Sequence, residues 1–154
     1  MFACLDAGAA PLDAWLGTFG DVVAPYPIET YRFHRRDVHR LQANWKAYAD
    51  NYLEGYHIPL VHPTLHRVVE SSRYTVTAHD GGRWNRHHVP AADGAPTTGA
   101  WVFLYPNLAL NVYPSGINVE RIVPRGPQLA DVVFEPAPRG RPLVVQRLVR
   151  AAVG

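Results

Sequence analysis

The chain has a single cysteine, Cys4. One thiol excludes an internal disulfide framework and any Cys-x-x-Cys metal or redox motif. Lysine is almost missing: Lys46 stands alone, and the remaining positive charge is dispersed arginine. With 15 basic and 13 acidic residues the formal charge is only +2, so the basic patch expected of a nucleic-acid binder is absent. No apolar run approaches the roughly 18 residues that a membrane span needs. No lysine or arginine precedes Arg32, so the positive start of a signal peptide is missing and the expected compartment is the cytoplasm. There is no Gly-rich phosphate loop, no Gly-x-Ser-x-Gly elbow and no His-Glu-x-x-His, which removes nucleotide, serine-hydrolase and zinc-protease readings.

What is present describes one globular domain. The 154 residues are 47% hydrophobic and 18% charged, enough apolar surface for one sizeable core. Fourteen prolines predict short elements and many loops. Eight histidines invite a search for a metal.

Residues 10–17 predict a brief helix closed by Gly17, and Pro25 and Pro27 then enforce an extended link. Tyr31 to Ala43 is compatible with a strand. Asn44 is a fair N-cap, and Trp45, Tyr48, Tyr52 and Tyr56 recur at helical spacing, which predicts a helix to His57. Pro59 breaks it, and Thr64 to Glu70 predicts another turn or two. Strands follow around 74–78, 84–89, 101–105, 108–113, 117–123 and 128–134, separated by turn signals such as Gly81-Gly82, Asp93-Gly94 and Pro114-Ser115-Gly116. The run from Trp101 to Phe134 reads as an antiparallel meander.

The chemistry-bearing stretch is Asn51-Tyr52-Leu53-Glu54-Gly55-Tyr56-His57-Ile58-Pro59-Leu60-Val61-His62. Residues five apart on an unbroken helix diverge. The break at Pro59 lets the chain fold back, so that His57 and His62 can reach one ion. Two imidazoles and a carboxylate make the facial triad of non-haem Fe(II) oxygenases, with open positions for O2 and substrate. Glu54, one helical turn before His57, can fix that ring as an acceptor. By spacing alone, a pair of satisfied, partly buried histidines is the commoner reading.

The stretch Asn44-Trp45-Lys46, then Asp50-Asn51-Tyr52-x-Glu54-x-Tyr56-His57, four residues, and His62-Pro63-x-Leu65 resembles the catalytic-domain signature of the Rieske non-haem iron oxygenases, the ring-hydroxylating α subunits. A second similar stretch runs from Tyr105-Pro106-Asn107-Leu108 through Asn111-Val112-Tyr113-Pro114 to Arg121 and Pro124. The resemblance implies an α+β helix-grip (START-like) domain, a curved antiparallel sheet packed on helices and incomplete at the C-terminus. It divides the chain into the end of a Rieske domain with a linker (1–30), a partial catalytic domain (31–135) and a tail of uncertain structure (136–154). It implies His57 and His62 as ligands of a mononuclear Fe(II), Glu54 as the acid passing electrons to it, and Asn51 and Asn107 as substrate-binding residues, with Tyr113 also near the cavity. The reaction implied is O2-dependent hydroxylation of a small aromatic or similarly apolar substrate. The resemblance further implies electrons from NAD(P)H through a reductase or ferredoxin, and a homo-oligomeric, trimeric whole enzyme.

The departures are as specific. A Rieske [2Fe-2S] cluster takes two Cys and two His, so this chain binds none, and Met1 to Asp6 resembles only the last strand of the cluster domain. The third iron ligand is a late acid in the family. The last acids here, Asp131 and Glu135, precede that region, so the ligand is expected to be absent. The sequence reads as truncated at both ends. The alternatives are a redox-inactive module binding a hydrophobic ligand, or a non-functional fragment.

Other residues take plainer readings. His66 is a candidate third imidazole of a zinc-like site. His87 and His88 point to opposite strand faces and read as exposed, as do His34, His39 and His79. Glu120 and Arg121 read as cross-strand ion-pair partners.

Overall fold

The computed structural model describes residues 6–91 and 99–139. The predicted Asp93-Gly94 turn, and most of the segments 1–6 and 136–154, lie outside the described residues.

Two short helices open the chain, α1 (Leu12–Leu16) and α2 (Phe19–Val23). The predicted helix over 10–17 is α1, closed at Gly17, where a φ of 56° suits glycine. The second helix, in a stretch read as loop, is held by burial: Phe19 and Val22 sit in the core.

Seven strands form one antiparallel sheet: β1 (Asp37–Leu41), β2 (Thr75–His79), β3 (Trp84–His88), β4 (Ala100–Leu104), β5 (Leu108–Tyr113), β6 (Gly116–Gly126) and β7 (Leu129–Pro138). Their order is β1-β7-β6-β5-β4-β3-β2. The predicted meander is therefore real and longer than expected, with β1 returning to pair on β7.

Helix α3 (Trp45–Tyr52) lies across one face. Asn44 caps it, accepting from the Lys46 amide at 3.0 Å, while its own side-chain nitrogen donates to the Pro127 carbonyl at 2.7 Å. One residue thus starts the helix and ties it to the β6–β7 turn. The helix stops at Tyr52, well short of the predicted His57. Tyr56 consequently leaves the aromatic stripe and is 82% exposed. Two single-turn helices follow, α4 (Ile58–Val61) and α5 (Pro63–His66), each with proline in its first turn.

Side chains alternate across the strands, so the register defines two interiors. One holds Trp84, Ala100, Val102 and Leu104 against Phe19 and Val22, with Trp15, Leu16 and Tyr26 at its edge. The other holds Phe103, Ala109 and Ile122 against Ala49, Trp45, Tyr48, Tyr52 and Leu53 of the α3 segment. Because α1 and α2 pack on the sheet, residues from Trp15 onward share its core.

Candidate metal centre and the polar layer beside it

The motif residues sit where the chain leaves α3. Leu53 ends the helix, and Gly55 passes so close to Tyr74 that a Cβ there would lie 2.3 Å from the ring. Only glycine permits that approach. The turn brings Glu54 back onto His57: one carboxylate oxygen is hydrogen-bonded to His57 Nδ1, and the other accepts from the His57 amide at 3.4 Å. Asn51 adds its side-chain amide to Glu54 at 3.3 Å. Glu54 is beside His57 as predicted, but through this turn rather than along a helix.

His57 and His62 flank α4, and their rings are 5.0 Å apart, inclined at 75°. Two imidazoles sharing one ion have centroids roughly 5 Å apart when bonds of ~2.1 Å meet near a right angle. With Nδ1 committed to Glu54, Nε2 of His57 remains for a metal. The pair therefore fits an ion as two of its ligands. No group of three or more His, Cys, Asp or Glu capable of holding a metal occurs among the described residues. His66 does not complete the site: it is exposed, and its Nδ1 pairs with the Ser71 hydroxyl at 3.0 Å.

The other predicted residues divide. Asn51 is exposed and serves Glu54. Asn107 stands in the β4–β5 turn and donates to the Ile122 carbonyl at 2.9 Å, a fold-holding bond. Asp131 and Glu135 point away from α3. Hydrogen bonds from Arg125 and Arg40 hold Asp131 below the usual carboxylate range. For Glu135, partial burial pushes upward, but the bonds from Arg36 and Arg121 outweigh it and leave the group low.

Three residues correct the sequence reading. His87 is 3% exposed, not a surface histidine. Its Nδ1 is hydrogen-bonded to the Tyr74 hydroxyl, and its Nε2 has no partner among the described residues. Burial lowers its pKa to about 4, so the ring is neutral. His79, too, is half-buried, stacked on Trp84 at 4.1 Å. Glu120 is 4% exposed and appears in no ion pair among the described residues, while Arg121 pairs with Glu135.

Glu120 belongs to a polar layer on the α3 side. Oε1 accepts from Asn111 at 2.6 Å and from Asn118 at 2.8 Å, and Oε2 accepts from the Tyr48 hydroxyl at 3.1 Å. Asn111 also accepts from Tyr52 at 2.9 Å. The register lines His87, Trp101, Asn111 and Asn118 across four strands. Burial drives the Glu120 pKa up to about 7 against the pull of its three donors. Burial likewise raises the Tyr48, Tyr52 and Tyr113 hydroxyls, with Glu120 adding to each. The alternation of β6 could have placed Glu120 inward with Asn118 and Ile122. Its neighbour Arg121 suggested a surface pair instead.

Residues 28–100 match the family model described as ring hydroxylating alpha subunit (catalytic domain). The chain is similar to the chloroplastic choline monooxygenase of Arabidopsis thaliana, 26% identical over 129 residues that cover 79% of this chain and 31% of that protein. It is similar to the carnitine monooxygenase oxygenase subunit of Escherichia coli strain K12, 30% identical over 125 residues, 74% of this chain and 33% of that one. Among solved structures, a quaternary ammonium Rieske monooxygenase aligns with a TM-score of 0.78 at 22% identity, covering 93% of this chain and 40% of that one. Naphthalene 1,2-dioxygenase with indole bound aligns at 0.64 and 16% identity, covering 97% and 44%. The expected helix-grip fold is thus the fold observed. The chain spans about a third of the length of the curated relatives it matches. No helix among the described residues is long and apolar enough to cross a membrane.

Proposed function

Because residues 28–100 belong to the ring-hydroxylating oxygenase α-subunit family, a family of oxidoreductases, we propose that this chain supplies part of the mononuclear iron centre of a Rieske-type oxygenase. The observation that carries the reading is the pair His57 and His62, rings 5.0 Å apart, with Glu54 on the far nitrogen of His57. Bound Fe(II) would supply O2 activation at open coordination positions. The chain's own residues prepare that site. His57 and His62 hold the ion, and the third ligand comes from outside the described residues. Glu54 fixes the tautomer and orientation of His57 and raises its basicity as a ligand. Its carboxylate is partly exposed, which suits the proposed role of passing electrons inward from a cluster carried elsewhere. The [2Fe-2S] cluster, a ferredoxin or reductase drawing on NAD(P)H, and the trimeric assembly all belong to the whole protein and are part of this proposal.

The substrate we infer is a small cationic amine rather than an uncharged aromatic ring. The names of the curated relatives, choline and carnitine monooxygenases, support this, and so does a buried carboxylate on the α3 face. Anaerobic Fe(II) titration tests the metal reading. His57→Ala and His62→Ala are each expected to abolish stoichiometric binding, and unchanged iron content in either variant refutes the ligand assignment. Glu54→Gln is expected to keep iron yet stop turnover in the complete enzyme.

A further inference from the structure

Gly55 is glycine for a reason of space, not of backbone angle. It is not among the residues in the left-handed region, so its conformation is open to other residues. What it admits is Tyr74: a Cβ at Gly55 would lie within 2.7 Å of Tyr74 Cγ, Cδ1 and Cε1. The ring edge therefore lies directly on the main chain between Glu54 and Tyr56. Position 55 is also an unspecified place in the Glu54-x-Tyr56-His57 signature, so the motif does not dictate this contact.

Tyr74 is in turn held from the sheet. Its hydroxyl is hydrogen-bonded to Nδ1 of His87 on β3, and the two rings meet edge-on at 5.7 Å. Burial first, and the Glu54 carboxylate second, raise the Tyr74 pKa, so the hydroxyl keeps its proton for this bond. His87 also meets the Tyr52 ring at 4.9 Å. Beyond His57, Ile58 is buried with Val69 and Val89 in a cluster against which Tyr74 packs as well. The turn that carries Glu54 and His57 is thus touched at Tyr52, Gly55 and Ile58, and each contact leads to Tyr74 or His87.

Leucine or phenylalanine at position 87 would fill a buried place at lower cost than imidazole. The imidazole does what neither can: it fixes the Tyr74 ring through a hydrogen bond, which is directional where apolar packing is not. Glycine has the most backbone freedom to lose, and Gly55 directly follows Glu54. A ring locked against that main chain removes the freedom where Glu54 must meet His57.

We propose that Tyr74 and His87 are positioning residues of the candidate metal centre: a phenol–imidazole strut from β3 that bears on Gly55, sets the turn and so holds the Glu54 carboxylate on His57 Nδ1. The strut deepens the oxygenase reading and rests on it for its purpose, but the strut itself requires no iron.

Long-range 1H–15N NMR of the purified chain, labelled at its histidine nitrogens, reads the His57 tautomer, assigned by the signals lost in His57→Ala. The parent is expected to show one form, with Nδ1 protonated and Nε2 bare. Tyr74→Phe keeps the ring and loses only the bond. It is expected to give mixed His57 tautomers and to raise the Fe(II) Kd at least fivefold, with native circular dichroism. His87→Leu is expected to do the same, and His87→Asn, which retains an acceptor near the place of Nδ1, to recover most of the loss. A role in packing alone would lower the unfolding midpoint and move neither readout, and that result in folded Tyr74→Phe overturns the proposal. Gly55→Ala is a second probe: it pushes the Tyr74 ring away, and an undisturbed His57 in that folded variant overturns the proposal equally. The two readings fail separately. A tautomer change in Tyr74→Phe, with no iron binding by the parent, supports the strut and sinks the metal reading. Iron binding by the parent, with His57 unmoved in Tyr74→Phe, sinks the strut alone.

Discussion

The two faces of the sheet are made from the same strands and bury opposite chemistry. Against α1 and α2 the interior is dry, with Trp84, Val102 and Leu104 interlocked with Phe19 and Val22. The acids on that side, Asp131, itself buried, and Glu135, are each neutralised by two arginines. Against α3 the interior includes His87, Asn111, Asn118 and Glu120, all buried. A face built only for stability would resemble the first, since apolar burial is favourable and buried polar groups at best break even. The second face bears the cost of desolvated groups, and it is the face next to Glu54 and His57. Stability and chemistry are divided between the two sides of one sheet.

The contrast can be broken most forcefully from the dry side. Trp84 packs edge-on against Phe19, stacks on His79 and donates to Asp80 at 2.7 Å. Trp84→Ala is expected to cost about 3–5 kcal/mol, read as a fall in urea midpoint with iron affinity preserved in whatever fraction stays folded. A loss of under about 1 kcal/mol would mean that this face is not the stabilising one.

The wet side answers to pH. The Glu120 pKa rises from 4.5 to about 7 on folding, so the folded state holds this proton more tightly than the unfolded one. Its stability contribution is intact below about pH 4.5 and is lost as pH climbs through 7. The size of that loss is about 3 kcal/mol at most. His87 has the opposite sign: its pKa falls from 6.5 to about 4, so stability is lost as pH drops from 6.5 through 4. The two windows overlap between about 4.5 and 6.5, where the opposite slopes offset each other, so denaturation midpoints against pH should show a broad flat top that falls away on either side. Glu120→Gln should flatten the alkaline limb, stabilise the chain at pH 8 and leave the acid limb in place. An alkaline limb unchanged in that variant would contradict the burial of an uncompensated charge.

The smallest effect is expected at the rim. Arg40 is largely exposed and pairs with Asp131 across β1 and β7 at 3.1 Å. Arg40→Ala should shift the midpoint only slightly, and less again in high salt, because Arg125 still holds Asp131 and surface pairs are screened.

Much of this was legible along the chain. The alternation from Trp101 to Phe134 specified a meander, and β4 through β7 follow it. Asn44 was readable as a cap because its short side chain matches a helix start. The pairing of Glu54 with His57 was legible from their closeness in sequence, though the helix ends first. Helix α2 was not legible, since its five residues form only because the sheet gives Phe19 and Val22 somewhere to go. The burial of His87 and the loss of its Nε2 partner were not legible either.

The sequence by itself determined the local rules: which residues alternate, where glycine and proline end elements, and which two imidazoles share a turn. These depend on neighbours a few residues away. Only the tertiary structure decided which of the two strand faces meets α3. That choice put Glu120 under Tyr48 and beside Asn111, 72 and 9 residues distant in sequence, and sent Arg121 to Glu135 instead. Desolvation and charge pairing depend on what lies across space, and no local pattern encodes it.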